Sequence, residues 1–159
     1  MSGSLIHRLG RKGIILFWLV WTIDFVTSAF FILKGYSWAE QNVSQRALFE
    51  NPSLQTFLDW LVGQWPYFAV GVLGLLFFCS KKISTEPLKP ALLVFVLGVL
   101  KSALLVLVLG LILIRLCGVA SNTGFILQLY GLRLPLALVY LILLIVAIVP
   151  FIPEIIHRE

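Results

Sequence analysis

Asp24 and Lys101 are ionisable residues set inside long apolar runs, and their placement is the main chemical signal of the sequence. A charge at mid-bilayer costs about 2.5–3.5 kcal/mol on insertion scales, so such residues face protein or water rather than lipid. Asp24 follows Gly13, the start of its apolar run, by 11 residues, and Lys101 follows Pro90 by 11. If both helices rise from the same side, about 1.5 Å per residue puts both groups about 16 Å deep. The expectation is a buried Asp24–Lys101 pair between the first and third spans. Thr27 and Ser28 on one helix, and Gly98 and Ser102 on the other, provide the small and hydroxyl side chains that a close contact in lipid prefers. Such a pair fixes helix register, forms a proton or cation site, or meets a charge on a partner chain.

Other chemistry is thin. Arg115 and Arg133 fall near the ends of the last two spans, where long basic side chains snorkel to headgroups or hold an anion, with Asn122 and Gln128 nearby. His7 and His157 lie in the tails, and Cys79 and Cys117 form no CxxC. Neither a metal site nor a nucleophile–base pair can be built from these spacings, and no cofactor is implied. HExxH, GxSxG and P-loop patterns are absent.

The elements that must position these residues are membrane spans. With 60% apolar residues, 12% charged residues and a mean hydropathy of +1.04, the surface must contact mostly lipid. About 20 apolar residues cross the hydrocarbon, so 159 residues hold four spans and short loops. The expected class is an all-α integral membrane protein, a single four-transmembrane-helix bundle, with spans over residues 13–33, 64–80, 91–115 and 132–150. The fourth span could begin as early as Phe125. The net charge of +5 is dispersed over loops and span ends, with no basic, aromatic-interleaved stripe, so nucleic acid is not an expected partner.

Between the first two spans, Leu54, Phe57, Leu58, Leu61 and Val62 recur at helical spacing after Asn51 and Pro52. They predict a short amphipathic interfacial helix over 52–62 in the first external loop, lying on lipid or packed on a partner. Trp60, Trp65 and Tyr67 would form an aromatic belt. Gly71 and Gly74 mark a helix-packing surface on the second span, and Gly98 with Gly110 another on the third.

Orientation follows from the basic residues. Arg8, Arg11, Lys12, Lys81, Lys82, Lys89 and Arg158 fall on one side of this arrangement, and Lys34, Arg46, Arg115 and Arg133 on the other. The richer side should be cytoplasmic, with both termini inside. Without long tails or sorting motifs, a bacterial inner (cytoplasmic) membrane is favoured over a eukaryotic plasma membrane or endomembrane. With so little soluble mass, the expected function is a non-catalytic accessory or assembly subunit of a larger membrane complex. Its partners would be membrane lipid and other integral membrane subunits. The alternatives are a small oligomeric proton- or cation-coupled transporter or channel using Asp24, and a lipid-interacting enzyme with a cavity near Arg115, Arg133 or Tyr140.

Overall fold

The computed structural model describes residues 2–36, 40, 42–79 and 91–156. They form α1 (Ser2–Leu33), α2 (Val43–Glu50), α3 (Leu54–Cys79), α4 (Ala91–Leu129), α5 (Leu136–Ile148), a 3-10 turn (Val149–Phe151) and α6 (Ile152–Ile156). Four stretches are long and apolar enough to span a membrane: Leu5–Leu33, Leu54–Cys79, Val96–Leu129 and Leu136–Ile156. The protein is a four-helix membrane bundle.

Two glycines set the first and last of the described connections. Gly35 and Gly131 have φ of 84° and 80°, a region that side-chain-bearing residues avoid. Each ends its helix in the same way. After α1, Gly35 N–H donates to Ile32 O and Tyr36 N–H to Phe31 O; after α4, Gly131 N–H donates to Gln128 O and Leu132 N–H to Leu127 O. These are paired Schellman bonds that satisfy the last carbonyls of a helix. Pro135 then precedes α5, so the final hairpin turns within a few residues.

The sequence-based element bounds change in three places. The third span runs to Leu129, well past Arg115, so α4 has 39 residues and is about 58 Å long. The fourth helix consequently starts at Leu136 rather than at Phe125 or Leu132. The separate interfacial helix over 52–62 is absent: residues 54–62 are the first turns of a continuous 26-residue α3 that contains Pro66. Pro66 removes one backbone donor without ending the helix, which transmembrane helices tolerate. Its start is fixed by a reciprocal bond pair, Thr56 N–H to Ser53 Oγ and Ser53 N–H to Thr56 Oγ1, rather than by Asn51. Leu54, Phe57, Leu58, Leu61 and Val62 form its exposed face. The helix preceding α3 is α2, capped by the Asn42 side chain on the N–H of Gln45.

Three seams hold the bundle. Along α1 and α3, Gly71 and Gly74 receive Trp18 and Ile14 so closely that an added Cβ would collide with each. This is the expected glycine-lined packing surface. Along α1 and α4, Gly13 faces Leu105, Val108 and Leu109, and Phe31 meets Phe125 edge to face at 5.1 Å. These two helices therefore run parallel. Ile14, Phe17, Val20, Val108, Ile112 and Ala147 form the buried core between them and α5. Finally, Lys12 Nζ reaches Pro150 O at 2.8 Å and Glu154 at 2.9 Å, while Arg8 meets Glu154 at 3.1 Å. The two ends of the described chain thus sit at the same end of the bundle, opposite α2.

Candidate polar site within the bundle

Helical spacing assembles the site from three spans. On α1, Trp21, Asp24, Thr27 and Ser28 lie three or four residues apart and share one face. On α3, Gln64 and Tyr67 do the same, and on α4 Arg115, Gly118 and Asn122. The seams described above bring those three faces together.

Arg115 is the hub. Its Nη1 donates to Asp24 Oδ2 at 2.7 Å and its Nη2 to Gln64 Oε1 at 2.7 Å. The guanidinium carbon lies 4.1 Å from the centre of the Tyr67 ring, a cation–π contact. Trp21 Nε1 adds a longer 3.4 Å bond to Gln64 Oε1. Two turns further along α4, Asn122 Nδ2 donates to Thr27 Oγ1 at 3.0 Å and approaches Ser28 Oγ at 3.4 Å and Asp24 Oδ1 at 3.5 Å. The Thr27 hydroxyl itself donates to the carbonyl of Ile23 at 2.8 Å. Burial makes these bonds matter: the Arg115 and Asp24 side chains are only 13% and 11% exposed. At that burial each charge needs its partner. Arg115 Nε is buried and has no hydrogen-bond partner among the described residues.

The expected partner of Asp24 was Lys101; the structure gives it Arg115. Arg115 lies 14 residues beyond Lys101 on the same helix, so the lysine is about 21 Å away along the axis. The register of α4 against α1 is set by Gly13, which packs on Leu105, Val108 and Leu109. Lys101 accordingly sits four residues before Leu105, beyond the level of Gly13 and toward the turn of α1 that carries Arg8. Gly98 and Ser102 therefore support no Asp24 contact. An added Cβ on Gly98 would meet nothing within 4 Å, as at Gly110, and the Ser102 hydroxyl bonds back to Gly98 O. Arg115 is likewise not a headgroup residue but an interior one, while Arg133 is exposed in the α4–α5 hairpin. Thr27 and Ser28 do lie in the network, though with Asn122.

The belt expectation also changes. Trp60 is buried in a ring cluster with Trp21, Phe25, Phe57 and Phe68, and Tyr67 lies under Arg115, leaving only Trp65 largely exposed. Gln64 and Tyr67 were missed as site residues. A glutamine inside an apolar helix was the available signal, since an amide there needs a partner.

Two small cavities open beside the hub. One of 170 Å³ is lined by Asp24, Ser28, Glu40, Asn42, Gly118, Ser121 and Asn122. The other, of 280 Å³, shares Asp24, Asn42 and Gly118 and reaches Gln64, Tyr67 and Arg115. Their polar walls suit ordered water at about 30 Å³ per molecule. Toward the chain termini the apolar layer of Phe17, Val20 and Ile112 follows. Gly118 keeps the space open, because a Cβ there would lie 2.7 Å from Asp24 Oδ1. Among the described residues no three His, Cys, Asp or Glu side chains converge as metal ligands. Cys79 and Cys117 are both exposed free thiols, and His157 lies outside the described residues. The arrangement can bind α1, α3 and α4 together and hold water against a carboxylate and a guanidinium. No protein-family model, curated protein or solved structure matches the chain.

Proposed function

We propose that the protein is a non-catalytic accessory or assembly subunit of a larger membrane complex, binding its partner through transmembrane helix contacts. The observation that supports this most is a shallow, open groove of 820 Å³ beside α1 and α4, lined by Ile6, Gly98, Val99, Ser102, Ala103, Val106 and Leu107. Small residues let a second helix approach closely in lipid, where packing rather than hydrophobicity drives association. No residue from Val96 to Leu107 is buried within the chain, and Lys101 lies within this stretch. The intramembrane polar groups around Asp24, by contrast, are engaged with one another. We further propose that both termini face the cytoplasm of a cell whose inner membrane holds the protein. Arg8, Arg11 and Lys12 gather at that end, and Lys101 lies toward it, whereas Lys34 and Arg133 lie at the other.

Purification from native membrane in mild detergent, with mass spectrometry of what travels with the protein, tests the reading. A stoichiometric partner is expected. Filling the groove with Gly98→Leu and Ala103→Leu should release it while leaving helicity and thermal stability unchanged. A protein that purifies alone, or a partner retained by the filled groove, overturns the proposal.

A second reading, a small transporter or channel, is favoured by the cavities beside Asp24. It expects proton or cation flux in liposomes that falls on Gly118→Ala, which intrudes on both cavities; silent liposomes refute it.

A further inference from the structure

We propose that a groove between α1 and α4, at the α2 end of the bundle, binds the acyl chain of an anionic phospholipid whose phosphate is held by Lys34. The groove has a volume of 520 Å³ and is lined by Val26, Thr27, Phe30, Tyr36, Ile126, Leu129 and Tyr130. It is separate from the α4 groove assigned above to a partner helix.

Three features select this occupant. First, the interior of the groove is apolar except for Thr27, and the Thr27 hydroxyl is already bonded to Ile23 O and to Asn122. The floor therefore asks for hydrocarbon. Val26 lies eight residues before Lys34 on α1, so the slot extends about 12 Å down from the helix end, within the span. Second, the mouth is polar: it carries the Tyr36 and Tyr130 side chains, and Tyr130 is 80% exposed. Tyrosine at a span end places an apolar ring in lipid and a hydroxyl among headgroups. Third, a cation stands next to the groove, although it is not one of its lining residues. Lys34 Nζ lies 5.9 Å from the centre of the Phe30 ring, one of the groove walls, and no carboxylate lines the groove. Lys34 also sits where the Schellman bonds of Gly35 and Tyr36 fix the backbone. A phosphate above this apolar slot would thus have an ammonium within reach beside the Phe30 wall, and a lone acyl chain would leave that charge unused.

The test is native mass spectrometry of the delipidated full chain resupplied with phosphatidylglycerol or phosphatidylcholine. One phosphatidylglycerol per chain should be retained, about fivefold in preference to phosphatidylcholine. Lys34→Gln should bring the preference to about one, since only the charge contact changes. Val26→Phe with Ile126→Phe should fill the slot and abolish retention of both lipids, with circular dichroism verifying the fold. If that double variant does not fold, the Lys34→Gln comparison decides alone. No retained lipid in the wild type, an undiminished preference in Lys34→Gln, or undiminished retention in a folded slot-filled variant each overturns the assignment. So does a dimer that replaces the lipid adduct and is lost on filling the slot, which would show a second copy as the occupant.

Discussion

Replacing Arg115 by leucine removes the hub of the polar network and strands its partners. Asp24 loses its 2.7 Å ion pair and keeps only the 3.5 Å approach of Asn122; Gln64 loses its 2.7 Å donor; Tyr67 loses the cation over its ring. Breaking a buried pair by removing one member costs about 3–5 kcal/mol in soluble proteins. An unfolded chain within a membrane finds substitute partners, so interhelical polar contacts there are weaker. The expected loss for Arg115→Leu is thus about 2–4 kcal/mol, roughly a thirtyfold to several-hundredfold drop in the folded fraction ratio. The neutral double variant Asp24→Asn with Arg115→Gln strands no charge and should lie within about 1 kcal/mol of the wild type. Reversible unfolding in mixed micelles, followed by helicity, measures each variant and, with the single variants Asp24→Asn and Arg115→Gln, closes a double-mutant cycle. The coupling between positions 24 and 115 should be about 2 kcal/mol or more, and that between 24 and 101 within about 0.5 kcal/mol. Additive losses at 24 and 115, or rescue of Asp24→Asn by Lys101→Gln, would refute the assignment of the pair.

Glycine substitutions should separate by environment. Gly118→Ala forces a methyl to 2.7 Å from a carboxylate held by Arg115 and is expected to cost about 1–3 kcal/mol in the same unfolding assay. Gly110→Ala meets nothing within 4 Å and should be neutral or stabilising by up to about 1 kcal/mol, through helix propensity alone. Gly71→Val should drive Trp18 out of the α1–α3 seam, read as a shift and loss of structure in tryptophan fluorescence and near-ultraviolet dichroism. Glu154→Gln weakens the contacts to Arg8 and Lys12, which are 53% and 34% exposed, so the global midpoint should move by less than about 1 kcal/mol. Hydrogen exchange should nevertheless quicken in α6, whose described ties to α1 include those two pairs.

The sequence by itself determined that the chain enters lipid, and how often. Four apolar runs leave no other solvent for their side chains, and each is long enough to cross. It also marked Asp24 as needing a partner, and Gly71 and Gly74 as a packing face, because charge in lipid and missing side chains are local facts about a helix. Which cation answered Asp24 was not local. It depends on the axial offset of α4 against α1, and apolar residues lie on every side of α4 between and around its two cations, so neither its face nor its depth is written in its hydropathy. Counting from Pro90 put Lys101 at the level of Asp24; only the packing of Gly13 on Leu105 and Val108, and of Phe31 on Phe125, sets the true register and delivers Arg115 instead. The interfacial stripe at 54–62 failed for a related reason. Helical periodicity is the same whether a helix stops or continues, and Pro66, which reads as a boundary in sequence, is carried within α3 because a membrane helix has no better place to leave its backbone polar groups.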